Sequence, residues 1–341
     1  MRDDPKPPQL AAHADAPHPR RFSRRQLLGG GLGLAALAST GCQSAATSTF
    51  LGRADSYDVD LADLIRRGLG ELGIGQSLVS GKRILLKPNL VETSLGEAHI
   101  NTHPLMVRAA AEALLSLGAD SVAVGEGPGH RRDSILVLDE SGMSEVLEED
   151  SIPFLDLNFQ RGLSLTNAGR KTGLRDLVFP AALADFDWIV SMPKLKTHHW
   201  AGVTLSMKNL FGVMPSFYYG WPKNLLHQHG IEASILDINT TLKPQLAIVD
   251  GIVGMEGDGP IAGAPRNVGA VLIGTNFVAV DATGTRLMGY DPAKIDYLVD
   301  ANGWLGPIGA ADIEQRGETV ESLAQRFELV PGLPMFDYMM S

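Results

Sequence analysis

Residues 189–212 read IVSMPKLKTHHWAGVTLSMKNLFG, and the rest of the chain is best understood from this stretch outward. It opens on an apolar run, Ile189-Val190, that predicts a buried strand, and breaks at Pro193. It then sets Lys194, Lys196, His198 and His199 almost side by side. If the backbone stays extended, alternation puts Lys194, Lys196 and His198 on one side and His199 on the other. Lys208 and Asn209 follow among Leu205, Met207, Leu210 and Phe211. The chain carries a formal charge of −10, so this cluster of cations is a local reversal of sign. Such a cluster at a strand end suits an anion; a solvated basic loop would use the same residue types, and the neighbouring segments must decide.

Those segments alternate between helix and strand. Apolar spacing predicts helices over 58–72, 104–117, 134–149, 231–242 and 276–288, with shorter ones near 294–301 and 321–327. Short apolar runs predict strands at 83–87, 121–124, 153–157, 187–190, 245–249 and 268–273. Residues 163–178 read as a hairpin or looped excursion, and the aromatic, histidine-bearing segment 215–230 as a lid or long loop. Nearly unbroken apolar strands between helices predict an α/β fold, a mostly parallel sheet with helices on both faces. Ligands of such sheets sit at the carboxyl ends of the strands. Each unusual cluster falls there: Lys87-Pro88-Asn89, the GEGPGH turn at 125–130, the 192–199 run, and the acidic loop 250–260.

Each cluster has a chemical reading. Lys87 and Asn89 offer a point charge and an amide for a carboxylate or phosphate, joined by Lys194 and Asn209. Gly125 and Gly127 could present backbone N–H groups to an anion, although no dinucleotide fingerprint or P-loop lysine accompanies them; a tight turn presenting Glu126 and His130 is the alternative. His198, Lys196 and Lys208 are the candidate catalytic groups, His198 as acid or base. Lys208, set among apolar neighbours, needs a partner or a lowered pKa. Asp250, Glu256 and Asp258 could ligate a divalent metal, without the spacing of an EF-hand. Asp281 is either a core-edge carboxylate or the partner of a lysine. His99, His103, His198 and His199 lie on separate segments that no spacing unites into a metal site.

The amino-terminal region reads as an address. Ser23-Arg24-Arg25-Gln26-Leu27-Leu28, followed by a weakly apolar, glycine-rich run to Ala38, is a twin-arginine signature. It predicts export through the Tat machinery to a periplasmic or extracytoplasmic location. Two processing routes are open over residues 1–42: lipidation of Cys42, the one route to a membrane anchor, or cleavage after Ala38. Residues 43–57 are expected to be a tether, and 58–341 a single α/β domain, whether one body or two intimate lobes. Cys42 is the single cysteine, so the exported chain has no cysteine-ligated iron–sulfur cluster, internal disulfide or thiol nucleophile. Residues 1–42 hold six Lys/Arg and three Asp/Glu; 23 basic and 36 acidic side chains remain, a net of −13. That argues against nucleic acid as a partner.

Lys87-Pro88-Asn89, His103-Pro104, Gly125–Gly129, MPKLKTH at 192–198, SMKNLFG at 206–212 and DGIVGMEGDGP at 250–260 occur in fixed order, and together they resemble the DUF362 family from about Ile84 to Asp291. The resemblance implies one shared site and names no reaction. Some members of that family are joined to ferredoxin-like iron–sulfur modules; this chain has no cysteine quartet to match. Two functional expectations follow. One is an exported enzyme acting on a small carboxylate or phosphate substrate, with or without a divalent metal as cofactor. The other is a protein that binds an anionic ligand, or escorts a cofactor or redox partner, without chemistry.

Overall fold

The structure, a computed structural model, describes residues 47–129 and 132–341. The expected Tat leader with Cys42, the start of the tether and His130 lie outside the described residues.

Five strands build the parallel half of one large sheet: β2 (Arg83–Pro88), β3 (Ser121–Glu126), β4 (Phe154–Asp156), β7 (Trp188–Met192) and β10 (Leu246–Glu256). They lie in the order β10-β7-β2-β3-β4, each pair parallel. Beyond β10 the sheet continues through β11 (Ala264–Gly274), β1 (Thr47–Arg53) and β12 (Ile313–Gly317). Here β11 runs antiparallel to both β10 and β1. Strand β1 corrects the expected tether: Thr47–Arg53 is inside the sheet, between β11 and β12. Its apolar core, Phe50-Leu51, is flanked by small residues, which made it read as a linker. A separate hairpin, β5 (Gly162–Thr166) with β6 (Asp176–Pro180), occupies the expected excursion.

Both faces are covered, as continuous apolar strands require. Along β2 the pleat sends Ile84 and Leu86 to one side and Leu85 to the other. The first side packs against helices α1 (Leu61–Glu71), α2 (Pro104–Ser116), α3 (Ser134–Glu140) and α4 (Met143–Glu149). The second packs against α5 (Ser206–Asn209), α6 (Ile231–Leu242) and α7 (Phe277–Leu287). The run expected as one helix over 134–149 is split into α3 and α4 at Gly142, whose φ of +72° breaks the helical path.

Two differences concern the site directly. The run after Pro193 is a strand, β8 (Lys194–His198), pairing with β10 and with β9 (Gly202–Thr204). The acidic 250–260 segment is strand for more than half its length, because β10 continues to Glu256 across a bulge between Gly251 and Val253. The segment 215–230 is not a plain loop: it carries two short helices, Ser216–Tyr219 and Asn224–Gln228.

Candidate functional site

The carboxyl ends of β2, β3 and β7 meet β8 and α5 at one edge of the sheet. Five lysines are gathered there or close by, and four donate two or three hydrogen bonds each. Lys87, fully buried, donates to Glu126 Oε2 (2.7 Å), to the Pro88 carbonyl (2.5 Å) and to Asn209 Oδ1 (3.3 Å). Glu126 is itself completed by the backbone N–H groups of Leu90 and Gly127. Lys194 donates to Asp250 Oδ2 (2.6 Å) and to the Tyr57 hydroxyl (3.0 Å), with both members of the ion pair at 0% exposure. Lys196 donates to the Ile100 and Pro260 carbonyls, 2.9 Å each. With no carboxylate against it, burial drives its pKa well below the usual lysine value, helped by the neighbouring Lys194 and Lys208 charges. Lys223, held at φ +68°, donates to the Gly127 carbonyl (2.9 Å), Asn158 Oδ1 (2.7 Å) and Ser216 Oγ (2.7 Å). Burial brings its pKa down to about 7.

Lys208 is the fifth. Among the described residues its Nζ has no hydrogen-bond partner and lies 4.1 Å from the Phe211 ring centroid, a cation–π contact. The side chain is half-buried and its Nζ keeps some accessible surface, while the packing around it removes part of its hydration. That desolvation, with the charge of Lys87 second, lowers its pKa to about 7. Helix α5 aims it. Asp281 on α7 accepts from the backbone N–H groups of Ser206 (2.8 Å) and Met207 (3.1 Å), the first turn of α5, from the Ser206 hydroxyl, and from Tyr297 (2.9 Å). Asp281, pushed up to about 6 by burial, is therefore neither a core-edge bystander nor a lysine partner: it anchors the turn that carries Lys208 and Asn209.

Lys208 faces a cavity of about 220 Å³, lined also by Lys87, Asn89, Glu126, Gly127, His198, Thr204, Asn209 and Lys223. Two residues of the lining, Asn89 and Thr204, each carry a polar atom without a partner, Oδ1 and Oγ1, but both atoms are buried behind the cavity surface. The orientation of Asn89 follows from its neighbour. Asn209 Nδ2 donates to the Lys87 carbonyl (3.0 Å), so Asn209 Oδ1 must be the atom that receives Asn89 Nδ2 (3.1 Å). Asn89 Oδ1 is left as a free acceptor. A buried acceptor and a buried hydroxyl without partners cost about 1–3 kcal/mol each.

His198 has one tautomer here. Its Nδ1 accepts from the backbone N–H groups of Trp200 (3.1 Å) and Ala201 (3.2 Å), which places the ring proton on Nε2. Burial, with Lys208 as the next cause, holds its pKa well below the usual imidazole value. It is a neutral hydrogen-bond donor, and the expectation of an acid/base histidine is corrected accordingly. His227 packs against Phe211 and Trp200 at the cavity wall, its Nδ1 3.1 Å from the Lys223 carbonyl.

The structure thus brings together Lys87, Asn89, Gly127, His198, Lys208 and Asn209. It does not bring in Lys194, Lys196, Gly125, Asp250 or Glu256. Lys194 and Asp250 satisfy each other away from the cavity lining, with Tyr57 donating to Asp250 Oδ1 (2.9 Å) and the His103 N–H to Oδ2 (2.9 Å). Lys196 bridges two loops. Gly125 is a strand position where a Cβ would crowd Leu85 at 3.0 Å. Glu256 accepts from the Glu328 N–H (2.9 Å) and pairs with Arg266 at 3.6 Å. Asp258 does reach the cavity wall, paired with His199 at 3.1 Å. The three carboxylates expected to share a metal face separate partners, and among the described residues no group of His, Cys, Asp and Glu is arranged to hold one. Lys223 and Thr204 were not foreseen, since neither sits in a pattern that singles it out. Gly212 had a readable reason: a Cβ there would lie 2.7 Å from Lys87 Nζ.

A family model described as "Domain of unknown function (DUF362)" matches residues 84–286. The thylakoid-associated protein sll1697 of Synechocystis sp. is 31% identical over 261 residues, 73% of this chain and 76% of that protein. The chain belongs to the DUF362 family. Every lining residue of the cavity, from Lys87 to Ala262, falls inside the DUF362 match, and so does Asp281. Among solved structures, a Thermotoga maritima protein is similar at 14% identity with a TM-score of 0.34, over 61% of this chain and 54% of that one. The chain spans about half the length of that protein.

Proposed function

We propose that this DUF362 protein is an enzyme that takes a small anionic substrate, a carboxylate or phosphate, into the cavity beside Lys208. The observation that carries the reading is the free Nζ of Lys208, in a cavity where the other lysines are already paired. A lysine lacking both a carboxylate and a hydrogen bond is ready to receive an anion. Lys223, charged and donating to three oxygens, adds positive potential, and the Nε2–H of His198 offers a neutral donor to a substrate oxygen. The reading assigns no metal to Asp250, Glu256 or Asp258, because each carboxylate is taken by a different partner.

Thermal unfolding in the presence of phosphate, malonate, glycolate and glyoxylate tests this. The wild-type Tm is expected to rise with at least one of these anions, and the rise to vanish in Lys208→Met. A rise that survives in Lys208→Met, or none with any anion, overturns the reading.

We extend the proposal to location: the twin-arginine signature at Ser23–Leu28 is motive for export by the Tat route. Lys in place of Arg24 and Arg25 together should leave the protein in the cytoplasmic fraction; undiminished export would contradict it.

A further inference from the structure

Five clustered lysines raise the question of what distinguishes the one left unpaired, since anion binding alone would be served as well by a lysine fixed in a salt bridge network. Lys87 and Lys194 face carboxylates, Lys196 faces two carbonyls, and Lys223 faces three oxygens. Each of those nitrogens donates two or three hydrogen bonds, and giving up the ammonium would weaken that set. Nothing but the Phe211 ring holds Lys208 charged, and the Lys87 ammonium nearby opposes its charge. A desolvated lysine next to a second cation is the arrangement that frees an amine lone pair for attack on a carbonyl carbon. The same wall supplies the other parts such an attack needs. The neutral His198 donor on the same lining can polarise a carbonyl oxygen, and Lys223 adds positive potential for a carboxylate.

We infer that Lys208 forms an imine with a small 2-oxo acid bound in the cavity, so that the substrate of the proposed site is a carbonyl compound whose carboxylate is held nearby. The inference rests on the anionic-substrate reading and goes beyond it. The neutral Nζ attacks the carbonyl carbon, and the carbonyl π pair moves to oxygen, which takes up a proton to give a carbinolamine. The nitrogen loses a proton, and the hydroxyl leaves as water as the C=N bond forms. Amine plus carbonyl becomes imine plus water, with no change of oxidation state. Once protonated, the imine is an electron sink for cleavage of a bond to the carbon beside it. The other lysines do not compete, because each nitrogen is held by two or three hydrogen bonds that it donates to carboxylate, carbonyl or side-chain oxygens.

Trapping with borohydride decides the matter. The full protein is incubated with glyoxylate or pyruvate, each with sodium cyanoborohydride, and analysed by intact mass and peptide mapping, while Tm is followed in parallel without reductant. One reduced adduct per chain is expected, on Lys208, absent in Lys208→Arg and slowed by competing malonate. The adduct should form faster as pH rises through about 7, as Lys208 loses its proton. Adducts spread over exposed lysines such as Lys171, with no preference for Lys208, would overturn the inference. A Tm rise with anions but no adduct would overturn the imine while leaving the anionic-substrate reading in place. Neither adduct nor Tm rise would remove both.

Discussion

Lys194 and Lys208 lie fourteen positions apart on one stretch of sequence, yet they sit in opposite kinds of surroundings. Around Lys194 the polar groups close on one another: Asp250 takes the ammonium, Tyr57 bridges, and the His103 N–H fills the last carboxylate position. Around Lys208 they stay open: its ammonium lies on the cavity wall with only the Phe211 ring against it. Charge and burial do not separate a structural lysine from a reactive one. What separates them is whether a partner stands within reach, and the strand register supplies that partner by setting Lys194 opposite Asp250 on β8 and β10.

The sharpest way to break this comparison is to remove one member of each group. Asp250→Ala leaves the buried Lys194 ammonium without its counter-charge, and the expected loss of stability is about 3–5 kcal/mol. Urea unfolding monitored by circular dichroism would register it as a lower midpoint. Lys208→Met, by contrast, removes a cation that nothing compensates, and stability is expected to stay within about 1 kcal/mol of the wild type or to rise. If the two variants are destabilised alike, the division into closed and open regions fails.

Gly127→Ala is expected to have a smaller effect. Its Cβ would fall 2.7 Å from Asn158 Oδ1 and 2.9 Å from the Gly212 carbonyl, displacing the acceptor that holds Lys223. The expected result is weaker anion binding with a stability loss of about 1–3 kcal/mol, against a purely structural, milder effect of Gly125→Ala. Equal loss of binding in both glycine variants would blur the boundary drawn between them.

The smallest effect is one of pH. Lys208 titrates near 7 in the folded protein and at the usual 10.5 once unfolded, so the unfolded chain holds the extra proton between those values. Stability should therefore rise with pH across that window, and Lys208→Met should flatten the rise. Anion binding runs the other way, strongest below pH 7 where Lys208 is charged. Equal affinity at pH 6 and pH 9 would contradict the role given to Lys208.

Much of the fold was legible because its signals are local. The parallel strands, the helices beginning at Pro104 and Ile231, and the gathering of odd loops at one sheet edge all follow from periodicity and breakers. The run Lys194–His198 read as a loop that would put Lys194, Lys196 and His198 on one side only if extended, and it is a strand. The alternation could not say where each side chain would end, since that depends on register with β10 and on loops about sixty residues away, such as Gly257–Pro260. The acidic segment misled for a related reason: glycines at 251 and 254 read as loop, whereas they let the bulged strand pass close to Leu195 and Phe327. Lys223 sits at a left-handed position in an aromatic segment, and only the folded chain brings it beneath Gly127 and Asn158. Thr47–Arg53 is sheet through pairing with strands more than two hundred residues on, which no local pattern announces.

Competitive acetylation of the folded protein with trace acetic anhydride, mapped lysine by lysine across pH 5 to 10, tests the central contrast most directly. Lys208 should be labelled with a midpoint near pH 7, while Lys87, Lys194, Lys196 and Lys223 stay protected until the protein unfolds. A Lys208 as protected as the others, or one that titrates near the usual 10.5, would contradict the account.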